Sequence, residues 1–299
     1  MLAFERYRQI IPDYEGFLES LRNPLPVYIR VNTLKVATDL ARRDMEKRGY
    51  ALEPVEEIKE AFLLRGPETP GSTLEFFLGY YHIQGLTSML AARALDPQPG
   101  EMILDLCAAP GGKATYLAQL IQNRGLVVAN DTKIERIRIL RSHIDRLGAT
   151  SLLVSRYDGQ SFPTRIMFDR VLLDPPCSAE GTYRVGRYSR LNADPDVVRR
   201  LGGLQRKLLR RALDILRPGG TLVYSTCTYA PEENEEIIND IILSGEAELL
   251  PVHISFPHSS GLTSWGKKTF HADLIKAVRF YPNQVDSMGF FIAKLHKPD

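Results

Sequence analysis

This 299-residue chain predicts an α/β fold: a mainly parallel sheet with helices on both faces, preceded by a small α+β module. Three observations lead there. From about residue 80, short runs rich in Val, Ile and Leu follow one another: "MILDL", "LVVAND", "LLVS", "FDRVLLD" and "TLVYST". Segments of helical period separate most of them, at 112–123, 133–147, 195–216 and 231–243. Strands apolar throughout and spaced by helices belong to a sheet buried on both sides. The opening 75 or so residues, by contrast, are mixed, with prolines, turns and short strand candidates.

In that front region a helix is expected over about 3–20. A strand follows in "NPLPVYIRVNTL", introduced by two prolines, then a polar helix over 37–48 that Gly49 stops. Strand candidates lie at 50–55, 61–65 and 73–78, with "GPETPG" as a turn-rich break. The division is therefore a front module at 1–78 and a core at 79–299. There is no internal repeat.

Composition bounds the function. With 44% hydrophobic and 25% charged residues the chain reads as globular rather than disordered. No apolar run approaches the roughly 20 residues of a membrane span, and the opening "MLAFERYRQIIPDYEGF" has no cleavable apolar core. The three cysteines, Cys107, Cys177 and Cys227, are widely spaced. They form neither a disulfide framework nor a zinc-site spacing. A reducing cytoplasmic setting without a metal is expected. Net charge is only +2, but residues 184–211 hold nine Lys/Arg against two Asp. Lys133, Arg136, Arg138, Arg141 and Arg146 add to this. Such local charge suits a polyanion; a solvated helix face explains it equally well.

Parallel sheets hold ligands at the carboxyl ends of their strands, near the switch in strand order. Asp105, Cys107, Asp131, Asp158, Asp174, Cys177 and Cys227 all fall at such ends. A lone acid after a strand is commonly a turn or cap residue; five furnished strand ends argue for a site. "LDLCAAPGGKATYLA" reads as strand, tight loop, helix, with Cys107, Ala108, Ala109, Pro110, Gly111, Gly112 and Lys113 in the loop. Its small residues let a ligand approach the backbone. It is no Walker A loop, since Cys107 and Ala114 replace the required Gly and Ser/Thr, and the G-x-G-x-x-G fingerprint is absent. Asp131, twenty residues past Gly111, is placed to accept ribose hydroxyls, and Asp158 an adenine amino group. A ligand with ribose and adenine but no phosphate fits: S-adenosyl-L-methionine. Arg136 is a further cofactor candidate, with a solvated helix position as the competing reading.

Two stretches carry the remaining thiols, "LLDPPCSAEGT" and "YSTCTYAPEENE". Together with "DLCAAPGGK", in this order and spacing, they resemble the RNA 5-methylcytosine methyltransferases of the NOL1/NOP2/Sun group and their bacterial rRNA relatives. The likeness extends to "YIRVNTLK", "YHIQGLTSMLAARALDPQPGE" and "GFFIAKL". It implies a Rossmann-like class I methyltransferase core, with a seven-stranded sheet whose last strand is reversed, behind an RNA-binding front domain. Cys227 of Thr-Cys would be the nucleophile, and Cys177 of Pro-Cys would assist release. The chemistry asks for these residue types independently. C5 of cytosine is a poor nucleophile until a thiolate adds at C6, and cysteine both attacks and leaves well. Asp174 is placed to meet N3 and the exocyclic amine, and Lys113 to orient Asp174 or the base. A helix starting near Pro231 would favour a thiolate at Cys227, with Glu232 and Glu233 opposing. The chain departs from the family pattern at Ala179, where Gly is usual, and at Asn283, where His is.

The expected partner is RNA, tRNA ahead of rRNA, bound by a monomer through the front module and the 184–211 arginines. No appended C-terminal RNA-binding domain is expected after "GFFIAKLHK". Two other readings compete. One is an amino-group methyltransferase using "DPPC" in place of a D/N-P-P-aromatic loop, which Cys177 disfavours. The other is a non-catalytic RNA-binding factor that keeps the fold.

Overall fold

The computed structural model describes residues 2–66, 69–185 and 194–299. At the front, β1 (Tyr28–Val31), β2 (Ala51–Pro54), β3 (Ala61–Arg65) and β4 (Tyr81–Ile83) form an antiparallel sheet of order β2–β3–β1–β4. Successive strand residues point to opposite faces. Ile29 and Val31 therefore pack with Ala41 and Met45 of one helix, while Tyr28 joins the core cluster on the other side.

Two front-region expectations are corrected. The single helix over 3–20 is broken into a 3₁₀ stretch, Leu2–Tyr7, and α1, Tyr14–Ser20. Pro12 removes a helical donor, and Asp13 turns left-handed at φ 46° so that its carboxylate caps α1 at Gly16 N. α2 (Thr38–Lys47) is as expected. The strand candidate at 73–78 is instead a helical turn, α3 (Leu74–Phe77). Thr73 accepts from Phe76 N there, so capping prevails over the β-like composition.

The main sheet contains β5 (Met102–Asp105), β6 (Leu126–Asn130), β7 (Leu152–Ser155), β8 (Phe168–Leu173) and β9 (Leu216–Thr226). Then come β10 (Glu248–Leu250) and β11 (Ser259–Ser260), with β12 (Ser264–Trp265) and β13 (Lys268–Thr269) as a separate hairpin. β14 (Val278–Phe280) and β15 (Phe290–His296) complete it. The path β7–β6–β5–β8–β9–β15–β14 has seven strands, with β15 antiparallel to both neighbours. This is the order the resemblance implied; short β10 and β11 raise the total to nine.

α4 (Leu86–Ala94), α5 (Gly112–Leu120) and α6 (Ile134–Leu147) cover one side. α7 (Pro195–Asp214) and α8 (Glu235–Ser244) cover the other. Alternation divides each strand between the faces. Leu104, Val171, Leu222 and Tyr224 pack toward α7 and α8, and Ile103, Leu172 and Val223 toward α4 and α5.

The front sheet is fastened to the core by buried polar contacts. Arg30, 1% exposed, donates to Gln84 Oε1 (3.0 Å), Thr115 Oγ1 (3.2 Å) and Gln119, above the Tyr116 ring. Asn32 donates to the carbonyls of Gly79 (2.9 Å) and Leu147 (2.7 Å). Phe4, Tyr7 and Phe17 pack instead on Val198, Tyr229 and Tyr281. Asn283 holds this segment by donating to Pro12 O at 2.7 Å.

Candidate active site

The strand order reverses between β5 and β8, so their carboxyl ends open onto the switch point. After β5 the chain turns through the 107–113 loop, and Gly111 takes φ +112°. A Cβ there would come within 2.7 Å of Leu140 Cδ1. Glycine thus serves both the backbone angle and the close approach. α5 follows with no side chain capping its first turn, which leaves N–H groups free for a ligand.

Two cavities flank this loop, and Cys107 borders both. One, about 320 Å³, is lined by Asp131, Arg136, Asp158, Gly159 and Pro176. The other, about 410 Å³, is lined by His82, Gln84, Asp105, Lys113, Asp174 and Cys227. In the first, Asp131 accepts from Lys133 N (3.0 Å) and pairs with Arg136 (3.2 Å), which also donates to the Ala109 carbonyl. Arg136, its side chain 41% exposed, therefore braces the loop against Asp131 from the surface. Asp158 caps the turn at Gln160 N (3.0 Å) and also lines the cavity. Burial pushes the Cys107 thiol up, as suits a packed, unreactive sulfur.

In the second cavity Lys113 Nζ donates to Asp174 Oδ2 at 2.6 Å, and Ser225 Oγ to Asp174 Oδ1 at 3.2 Å. Burial alone would lower the Lys113 pKa; Asp174 outweighs it, and the net shift is upward. The ammonium is thus kept charged against Asp174.

Cys177 and Cys227 stand with Sγ atoms 3.4 Å apart. Their loops are bound backbone to backbone by Gly181 N to Cys227 O (2.8 Å) and Gly289 N to Gly181 O (3.0 Å). Side chains continue the clamp: Ser178 and Thr228 hydroxyls meet at 2.6 Å, and Glu233 accepts from Ser178 N (3.0 Å). Glu180 accepts from Thr228 (3.0 Å) and Tyr7 (2.8 Å). Burial raises the Glu180 and Glu233 carboxyls. The Cys177 thiol is raised well above its usual value by its hydrogen bond with Cys227 and by burial. Ala179 adopts φ 59°, the left-handed region where glycine is usual.

Some sequence expectations require correction. α8 begins at Glu235 rather than near Pro231, because residues 231–234 form a turn. Asn234, the residue before the helix, is locked between Thr226 Oγ1 (2.6 Å) and Thr228 O (3.0 Å), the two neighbours of Cys227. Arg184 is 2% exposed and donates to the Ser287 carbonyl (2.8 Å), which removes it from any RNA surface. Arg146 likewise donates to Phe76 O (2.7 Å) and Tyr81 O (3.1 Å). Arg187 and Arg190 lie outside the described residues.

Sequence reasoning placed no role on His82, Gln84 or Ser225, nor any specific one on Asp105. His82 lies in β4 and Gln84 just after it, and a strand of three residues is too short to show an alternation. No described helix is long and apolar enough to cross a membrane, and no metal-binding cluster of His, Cys, Asp or Glu occurs among the described residues.

A parallel sheet reversed at β15, with a small-residue loop between two cavities at its switch point, defines a Rossmann-like methyltransferase. The model of the 16S rRNA methyltransferase RsmB/F family matches residues 92–296, and that of the N-terminal domain of 16S rRNA methyltransferase RsmF matches 3–85. The chain belongs to the RsmB/F methyltransferase family. It is 39% identical over 288 residues to human 28S rRNA (cytosine(4447)-C(5))-methyltransferase, covering 94% of this chain but only 35% of that protein. To Pyrococcus abyssi tRNA (cytosine(49)-C(5))-methyltransferase it is 37% identical, covering 98% of this chain and 95% of the relative. The crystal structure of a methyltransferase homolog protein from Pyrococcus horikoshii superposes with TM-score 0.88 at 37% identity, over 99% of this chain and 94% of that one.

The family implies S-adenosyl-L-methionine, and the residues present fit it. Asp105 is fully buried with both carboxylate oxygens unpartnered, as a group awaiting an ammonium would be. Gly111, Gly112 and the uncapped α5 leave a close backbone approach beside it.

Proposed function

We propose that this protein is an S-adenosyl-L-methionine-dependent RNA cytosine-C5 methyltransferase working through a covalent Cys227–C6 adduct. The observation that carries the reading is the 3.4 Å pairing of Cys177 and Cys227, with Cys227 sharing one cavity with the Asp174–Lys113 pair. The RNA specificities of the relatives point the same way.

The Cys107–Lys113 loop, Asp131, Arg136, Asp158 and Asp174 would hold the cofactor, which would supply an electrophilic methyl group. The cytosine swings out of its strand into the second cavity. Cys227 thiolate forms a bond to C6 while N3 takes up a proton through Asp174, which draws it from the paired Lys113 ammonium; the proton returns along the same path when the adduct collapses. C5 then takes the methyl group from the sulfonium, whose sulfur leaves as the neutral thioether of S-adenosylhomocysteine. Loss of the C5 proton to a base breaks the C6–S bond and restores the aromatic ring. Cys177, beside the departing sulfur, assists this release.

We place tRNA ahead of rRNA as the substrate, because the tRNA enzyme from P. abyssi matches nearly end to end. A cytoplasmic monomer, with the 1–78 module holding the RNA backbone, completes the reading. Bisulfite sequencing of cellular RNA tests it. Cys227→Ala is expected to erase the 5-methylcytosine signal, and Cys177→Ala to accumulate protein crosslinked to RNA on denaturing gels. Wild-type methylation by Cys227→Ala sinks the mechanism. An N4-methylated product favours the amino-group alternative.

A further inference from the structure

The uncapped end of α5 is faced by two side chains of the front region that the mechanism does not use. His82, 6% exposed, lies at the wall of the second cavity, where a Cβ on Gly112 would sit 3.5 Å from its Nε2. Arg146 reaches His82 Nδ1 at 3.0 Å. A guanidinium only donates, so Nδ1 accepts and the neutral ring carries its hydrogen on Nε2. Burial, with Arg30, His143 and Arg146 nearby, holds the His82 pKa down to about 2, so this tautomer persists at every ordinary pH. Nε2–H has no partner among the described residues. Gln84, also 6% exposed, spends Oε1 on Arg30 (3.0 Å), and its Nε2, 3.8 Å from the same Gly112 position, has none either.

Free N–H groups at a helix start, flanked by two unpartnered donors on the front-sheet side, form a receptor for an anionic oxygen. The geometry points to His82, with Gln84 behind it, as the receptor for the carboxylate of the methyl donor's amino-acid tail. This rests on the methyltransferase reading. Adenosine on Asp131 and Asp158 in one cavity and a methyl group near Cys227 in the other place that tail across the loop. Asp105 supplies the complement, a bare carboxylate for the tail's ammonium. The front region thereby closes the donor pocket as well as gripping RNA.

Titration calorimetry on the full chain compares S-adenosylhomocysteine with 5′-methylthioadenosine, which lacks the amino-acid tail. His82→Phe is expected to weaken S-adenosylhomocysteine about tenfold or more, the range for a hydrogen bond to a charged group, and to leave 5′-methylthioadenosine within about twofold. His82→Gln, which keeps an acceptor for Arg146 and a donor for the ligand, restores most of the loss. Equal weakening of both nucleosides, or unchanged S-adenosylhomocysteine affinity, overturns the assignment. Loss of tRNA affinity alone also overturns it, giving His82 to a phosphate. Failure of the wild type to bind either nucleoside strikes the methyltransferase reading itself.

Discussion

Asp105 shows what one side chain contributes and costs. Burial pushes its carboxyl up to about 7; Lys113 opposes this, and Asp174 and Asp131 reinforce it. A folded-state value above the unfolded one stabilises the fold fully below about pH 4, and that stabilisation is lost as pH rises through about 7. Asp105→Asn is therefore expected to stabilise the ligand-free protein at about pH 8.5 by on the order of 4 kcal/mol at most, read as a raised Tm, with the gain shrinking toward about pH 5. An equal Tm change at both values contradicts this. The thiols were legible from Pro-Cys and Thr-Cys because their chemistry demands sulfur. His82 and Ser225 were not, because a lone His or Ser acquires a role only from neighbours that the fold brings in. Ser225 reaches Asp174 across 51 residues of chain.

Among the elements, the two thiol loops are held by glycines that no periodicity reveals. A Cβ on Gly181 would lie 2.2 Å from Gly289 O, a backbone atom that cannot move aside. Gly181→Ala is expected to cost about 1–3 kcal/mol of stability and to reduce kcat by more than it raises the KM for S-adenosyl-L-methionine. An unchanged kcat shows that the clamp does not position Cys227. Behind it, Arg279 donates to Glu235 at 2.6 Å with both side chains buried. Glu235→Ala leaves that guanidinium unpaired and is expected to lower stability by about 3–5 kcal/mol in denaturant melts. The parallel strands were read correctly because short runs rich in Val, Ile and Leu alternate with segments of helical period. The 3–20 and 73–78 segments were misread because Asp13 and Thr73 act through capping geometry, which composition does not display.

At the scale of the whole molecule, the charge pattern narrows once contacts are known. Arg184 and Arg146 are tied to backbone carbonyls, and Arg206 pairs with Asp240 at 2.7 Å. On α7, Arg200 and Lys207 remain exposed, without an ion pair among the described residues. Replacing both with Ala is expected to weaken tRNA binding and to flatten its dependence on salt by a slope of about 1–2. An unchanged slope moves the RNA to another face. Front region and core meet at the switch point, where His82 and Gln84 line the second cavity, so fold and site were both readable to the extent that strand ends announce a ligand. The account stands on Cys227 bonding a pyrimidine carbon, and one measurement tests that most directly: mass spectrometry of enzyme incubated with cofactor and a tRNA pool transcribed with 5-fluorocytidine, whose C5 substituent blocks release. The account predicts a methylated fluorocytosine adduct on the peptide containing Cys227. An adduct on Cys177, or 5-methylcytosine formed on ordinary tRNA with no adduct trapped on the fluorinated pool, contradicts it.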